Sequence, residues 1–414
     1  MHSKYRGLQD LVLGDFFIFT PMNIALVDLD IHRSKLLPLT FTRPIADLRI
    51  GILTIREKWE KRLNQEVSFL TDDSLSTLFP SKRDHFDLAI NSAVCPNATL
   101  IDRITNLEEN QALYQDDLWI ATKGSFATRD EAALLLALPK TAYEGELIYI
   151  DRTWSLFLNN AHEIQQDFDL LTEGKISAPI ADPHTIVYGE ENIFLEEGVK
   201  IKAAILNAEN GPIYLAKGAE IQEGATIRGP FSLGEGARIN MNAKIREGST
   251  VGPGCKIGGE LSNSIIYGNS NKAHDGFLGN SVLGEWCNLG ADTNNSNLKN
   301  NYTHVEMWDE LTGNYIDTEL QFCGLVMGDH SKAAINTMFN TGTTVGVCAN
   351  IFGAGFPRKR IPSFSWGGDR AMITYDFDKA METASIVMER KGKKFNTKDK
   401  DMLLHIYNTN SKAS

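Results

Sequence analysis

Eight aliphatic residues, Leu215, Ile221, Ile227, Leu233, Ile239, Ile245, Val251 and Ile257, stand six apart in unbroken register. Two residues before six of them the side chains are small (Ala219, Ala225, Ala237, Ala243, Ser249, Cys255), whereas Phe231 is large. Three residues after them come Gly218, Gly224, Pro230, Gly236, Asn242, Gly248 and Gly254, types that permit tight turns or a left-handed backbone. An aliphatic, a small residue and a turn former at a period of six make the hexapeptide pattern of a parallel β-helix. Each hexapeptide supplies one short strand and one corner, three close a triangular coil, and the aliphatics stack along the axis. Each coil buries its face only against the next, so the array is quasi-one-dimensional. Of 34 glycines, 17 lie between Gly198 and Gly290, where this turning is densest. An antiparallel sandwich rich in glycine turns is the competing architecture, and it gives no reason for a six-residue register held over eight steps.

The register breaks after Ile257, returns at Phe277, Leu283 and Leu289, and resumes at Met327, Ala333, Phe339, Val345 and Ile351. Between lies an irregular excursion, an inserted loop over 291–323. Its centre reads as two strands about the turn Leu311-Thr312-Gly313-Asn314. Insertions that leave a repeat usually sit on its working face. The β-helix is therefore expected over 183–360. Residues 22–180 alternate apolar runs (NIALVDL, VSFL, LAIN, LWIATK, ELIYI) with helical stretches (LRIGILTIREKWEKRL, EAALLLAL), predicting an α/β domain with a partly parallel sheet. In the third segment, 361–414, amphipathic stretches at 377–391 and 397–409 predict helices that cap the open coil end.

With 41 Lys and Arg against 53 Asp and Glu, the net charge of −12 argues against a nucleic-acid or anionic-membrane partner. The apolar stretch Leu11–Leu29 is interrupted by Asp15, Pro21 and Asp28, the wrong pattern for a membrane span or signal peptide. Five scattered cysteines without a CxxC pair indicate neither a disulfide framework nor a cysteine zinc site, and fit a reducing cytoplasm.

The motifs RSKLLPLTFTRPIADLRIGILTIREKW and SNKAHDGFLGNSVLGEWCNLGADTNNSNLKNNY, set in this architecture, resemble a known class. The chain is similar to the bifunctional UDP-N-acetylglucosamine pyrophosphorylase/glucosamine-1-phosphate N-acetyltransferase family, in a divergent bacterial branch. The likeness runs from Asn23 to Trp366. It implies a nucleotidyltransferase-like α/β domain followed by a left-handed parallel β-helix, acting in a homotrimer on a sugar phosphate with acetyl-CoA and UTP.

Lys272-Ala273-His274-Asp275-Gly276-Phe277-Leu278-Gly279 resembles the family's acyl-transfer run with one glycine deleted. The resemblance makes His274 the general base. Acyl transfer from a thioester requires the attacking amine or hydroxyl to lose a proton, which an imidazole can accept. By the same likeness Asn288 and Asn297 contact sugar, Ala291 contacts acetyl-CoA, and Lys272 and Glu260 are further sugar-binding candidates. Arg358 and Lys359, in the run Arg358-Lys359-Arg360, suit the phosphates of coenzyme A. Asp292 replaces the family's usual glycine.

At the front, Ser34-Lys35-Leu36-Leu37-Pro38-Leu39-Thr40-Phe41-Thr42-Arg43-Pro44 keeps the frame of the nucleotidyltransferase signature, but its loop glycines are replaced by Asp28 through Arg33. Glycines there normally let the backbone approach phosphate. Arg33, Lys35 and Arg43 remain as phosphate-binding candidates, and Asp28 or Asp30 as ligands for Mg²⁺. Two other readings compete with a sugar-phosphate acyltransferase that also carries out nucleotidyl transfer. One is a β-helix metal hydrolyase binding zinc through His274, His304 and His330; the other is a non-catalytic, sugar-binding oligomer.

Overall fold

The computed structural model describes residues 22–369 and 371–410. The beginning of the apolar stretch (11–21) and the tail of the expected C-terminal segment (411–414) lie outside the described residues. Among these, no helix is long and apolar enough to cross a membrane.

Four of the apolar runs at the front join a mixed six-stranded sheet, whereas ELIYI gives Ile148–Tyr149, which pairs antiparallel with Val94–Cys95. The order of the six-stranded sheet is Ser68–Leu70, Ile24–Val27, Phe86–Asn91, Leu118–Phe126, Gln111–Gln115, Lys140–Ala142. The first three strands are parallel, and Leu118–Phe126 runs against both neighbours. The helix expected from Leu48 begins only at Ile55, because Arg49–Ile50 and Leu53–Thr54 form a small hairpin. Thr54 and Glu57 close a capping box at that start, each side chain bonding the other's backbone N–H. At the tip of the hairpin Gly51 has φ +71°, and an added Cβ would lie 2.6 Å from the Glu163 carbonyl, so only glycine fits. Sequence reading missed the 20-residue helix Thr153–Thr172. This helix joins the halves: Asn160 donates to the Gly248 carbonyl (2.8 Å) and accepts from Gly51 N–H (2.8 Å). Its Glu163 and Asp167 enclose the buried Lys58 ammonium.

From Ile186 onward the chain winds as a triangular parallel β-helix with stacked sides of six, nine and nine parallel strands, the last side extended by one antiparallel strand. The aliphatics of the hexapeptide register fill its axis, with Ile221, Ile239 and Ile257 paired in successive coils of eighteen residues. The break in register is a shortening of corners: fifteen residues separate Ile257 from its partner Lys272. Leu278, not Phe277, takes the axial place there, since it pairs with Leu261 and is 1% exposed. The axis resumes through Leu283, Leu289, Met327, Ala333, Phe339, Val345 and Ile351. The excursion starts later than expected, because Asn294–Asn295 still pairs with Met338–Phe339. Its centre is the antiparallel hairpin Glu306–Asp309/Asn314–Asp317, with Gly313 at φ +64° in the turn.

The C-terminal helices form where expected, at Phe377–Arg390 and Thr397–Asn410, but not as an end cap. Strand Met372–Thr374 folds back on Ser365–Gly367 and closes that side. The helices then lie along the flank, where Met381, Met402, Leu403 and Ile406 pack with Val347 and Phe364 of the coils and Leu75 of the front domain.

Where coil, front domain and helices meet, Arg43 is buried against Asp329, with Glu285 4.0 Å away and the Tyr267 ring centroid at 5.0 Å. Burial opposes the guanidinium charge, yet Asp329, Glu285 and Asp47 together raise its pKa. Asp329 also accepts from Thr42 Oγ1 and Glu285 N–H, both at 2.8 Å. Arg43→Ala would leave the buried Asp329 carboxylate without its cation, and a loss of about 3–5 kcal/mol is expected in urea unfolding. An unchanged midpoint would show that the ion pair contributes nothing net.

Candidate active site

His274 lies on the exposed turn between strands Asn271–Lys272 and Phe277–Gly279. Together with Asn288 and Ala291 it lines one cavity of about 560 Å³. Trp286 and Asn271 form part of the coil wall, and Val387, Arg390 and Lys391 come from the C-terminal helix and its end. Lys256 and Lys332 also line it, so four cations surround a site with no carboxylate in its lining. Lys391 donates to the Gly254 carbonyl at 2.6 Å and Lys332 to the His330 carbonyl at 2.9 Å, and burial lowers the pKa of both amines. Such a wall suits an anion, above all a phosphate.

Several of these residues escaped sequence reading although a signal was present. On one side of the coil Lys256, Asn271, Asn288 and Lys332 occupy matched positions, each preceding its axial neighbour. Carrying the hexapeptide register across the short coil and the excursion would have found this outward column. Trp286 and the helix residues have no such signal, since they meet only in the tertiary structure.

The other expected acyl-site residues lie outside the cavity lining. Asn297 donates to Asn280 Oδ1 at 2.8 Å on a neighbouring corner. Glu260 stands 3.8 Å from Arg246. Lys272 points into the coil axis and is 0% exposed, a correction to its expected place on the sugar. Arg358 is exposed, whereas Lys359 donates to the Glu306 carbonyl at 2.9 Å on the excursion.

In the front domain the expected phosphate and metal groups are occupied by the fold. Asp28, 1% exposed, accepts from Thr71 Oγ1 (2.6 Å), Ser92 Oγ (2.7 Å) and Ile45 N–H (3.2 Å), and pairs with Arg33 at 3.2 Å. Arg33 also donates to the carbonyls of Thr40 and Arg43. Asp30 is exposed and pairs with Arg129 at 2.6 Å, and Arg43 is held at the domain junction. These residues therefore do not fit a Mg²⁺ site, while Lys35 stays half-exposed on its helix. Nor do the three histidines converge. His304 is 3.3 Å from Asp317 on the excursion, His330 is stacked on Trp286 at 6.1 Å, and His274 faces the cavity. Among the described residues no group of three or more His, Cys, Asp or Glu is arranged to hold a metal ion.

Burial, then the nearby Lys332, lowers the pKa of His330 to about 3, from an ordinary 6.5. Below pH 6.5 the unfolded chain binds a proton that the folded chain refuses, so stability falls as pH drops toward 3, by about 1.4 kcal/mol per unit. His330→Asn keeps a residue tolerant of its φ of +61° and removes the titration. Its denaturation free energy should decline less between pH 7 and 5 than the wild type's, and parallel slopes would contradict the assignment.

Residues 24–176 match the model of a family described as sugar nucleotidyl transferase. A bifunctional sugar-1-phosphate nucleotidylyltransferase/acetyltransferase of Sulfurisphaera tokodaii is 27% identical over 263 residues, 62% of this chain and 58% of that relative. The match thus spans less than two thirds of that relative's length. The bifunctional protein GlmU of Methanocaldococcus jannaschii is 31% identical over 87 residues, 21% of each chain. Among solved structures, a UDP-N-acetylglucosamine acyltransferase from Campylobacter jejuni matches with a TM-score of 0.30 and 14% identity, over 55% of this chain and 96% of that one.

Proposed function

We propose that the β-helix cavity transfers an acyl group from acetyl-CoA to the amine of a sugar phosphate, glucosamine 1-phosphate being the first candidate. The observation that carries this reading is the meeting of His274, Asn288 and Ala291 in one cavity ringed by Lys256, Lys332, Arg390 and Lys391. The amine attacks the thioester carbonyl as His274 takes its proton; the C–N bond forms, the C–S bond breaks, and the proton passes to the leaving thiolate. Asn288 can both donate to and accept from sugar hydroxyls. The cations bind phosphate by charge-assisted hydrogen bonds, whether on the sugar or on the coenzyme.

For the front domain the reading is nucleotidyl transfer from UTP to a sugar 1-phosphate, supported by the family match. Because Asp28, Asp30, Arg33 and Arg43 are engaged within the fold, Lys35 is the remaining expected phosphate contact. A homotrimer completes the proposal and is tested separately by light scattering, since every cavity wall described above comes from one chain.

Thiol release from acetyl-CoA with glucosamine 1-phosphate and pyrophosphate release from UTP with N-acetylglucosamine 1-phosphate should be assayed on one preparation. His274→Ala is expected to lower thiol release by about 10²–10⁴-fold without affecting pyrophosphate release. Arg390→Ala and Lys391→Ala should each raise a KM for a phosphate-bearing substrate by about fivefold or more, with kcat less affected. Full thiol release by His274→Ala would eliminate the imidazole as base.

A further inference from the structure

One axial column of the β-helix runs Ile221, Ile239, Ile257, Lys272, Leu289, Ala333, Ile351. Its one charged member, Lys272, is 0% exposed. Placing an ammonium where the column otherwise has hydrocarbon is costly unless hydrogen bonds compensate it. The compensation is specific: Nζ donates to the carbonyls of His274 and Asp275, the latter at 2.7 Å. Those carbonyls belong to the turn that displays His274.

That turn is held from other directions as well. Asn240 Nδ2, two coils earlier, reaches past Gly258 to donate to the Ala273 carbonyl at 2.8 Å, and Asp292 N–H, in the following coil, donates to the Asp275 carbonyl at 3.1 Å. Gly276 ends the turn at φ +115° and passes so close to the Thr293 carbonyl that a Cβ would lie 2.3 Å from it. An aliphatic side chain at 272 would suit the axis but would remove the donor that reaches the turn from inside, leaving the His274 carbonyl without that bond.

We infer that Lys272 is a positioning residue for the acyl-transfer site: from within the coil its ammonium fixes the short turn that aims His274 into the cavity. It acts through the backbone of residues 274 and 275 and does not contact substrate. The inference rests on the reading of His274 as the base. Burial lowers the ammonium's pKa to about 8, against the opposing pull of Asp275 and Asp292, so it remains largely protonated at neutral pH.

The test is Lys272→Met, which keeps the length of the side chain, suits the axis and deletes the donors. Amide hydrogen exchange is followed across 273–277, alongside steady-state thiol release. Expected are exchange about fivefold faster or more in that turn with the neighbouring coils unchanged. Expected too is a kcat lower by about tenfold or more with both KM values within about twofold. Lys272→Gln, which retains a donor, should recover part of both, and it replaces the methionine variant if that one does not fold. Unaltered protection of the turn would overturn the inference. A raised KM with kcat intact would also overturn it, by making Lys272 a substrate contact. If the wild type releases no thiol, the acyl-transfer reading fails on its own, and the exchange result still decides whether Lys272 holds the turn.

Discussion

A parallel β-helix has to fill its own centre at every step. Each coil contributes three inward side chains that no distant segment can replace, and a gap there is shared by the coils on both sides. This chain meets the requirement with Ile, Leu and Val through the regular region, then with Met327 and Phe339 where the corners are less regular. Corner length is free to change while the axis stays filled: coils of eighteen residues give way to one of fifteen without loss of strand pairing. The irregularity that shapes the cavity is therefore confined to corners, and the stack beneath it remains ordered.

The front domain is mounted on the flank of this stack through buried polar contacts that complement an apolar seam. Ile265, Tyr267, Val282 and Val326, which face outward from one side of the coil, belong to the same buried cluster as Leu26, Ile90 and Phe157 of the front domain. Arg43 with Asp329 and Asn160 with Gly248 fix the register of that seam. Residues whose types suggest phosphate binding at the front thus act as fasteners. Loss of the glycines from the first loop coincides with Asp28 accepting four bonds inside the domain, so the backbone there is organised around a carboxylate.

The β-helix was legible because its signal is local and periodic: a six-residue step survives in the sequence whatever the tertiary contacts. The C-terminal helices and the excursion hairpin were legible for similar reasons, one from amphipathic spacing and the other from the turn at Gly313. The helix Thr153–Thr172 was missed because it buries polar residues, Asn160, Glu163 and Asp167, where a helix pattern would show only apolar ones. At the candidate site the resemblance brought out His274, Asn288 and Ala291, which the fold assembles. Asn297, Glu260 and Lys272 sit close in sequence or type to the expected pattern but turn to other faces. Face assignment in a coil depends on corner length, and a shortened corner erases it from a fixed period.

Val387, Arg390 and Lys391 enter the cavity from a helix more than a hundred positions beyond His274. Coils of a solenoid can stack as they leave the ribosome, each on the one before it. The wall supplied by the helix cannot form until that later segment has emerged and folded back past the final coils. A chain whose coils stack in that order would display the imidazole while the cavity still stood open on one side. Closure of the cavity is thereby tied to the path of the polypeptide itself.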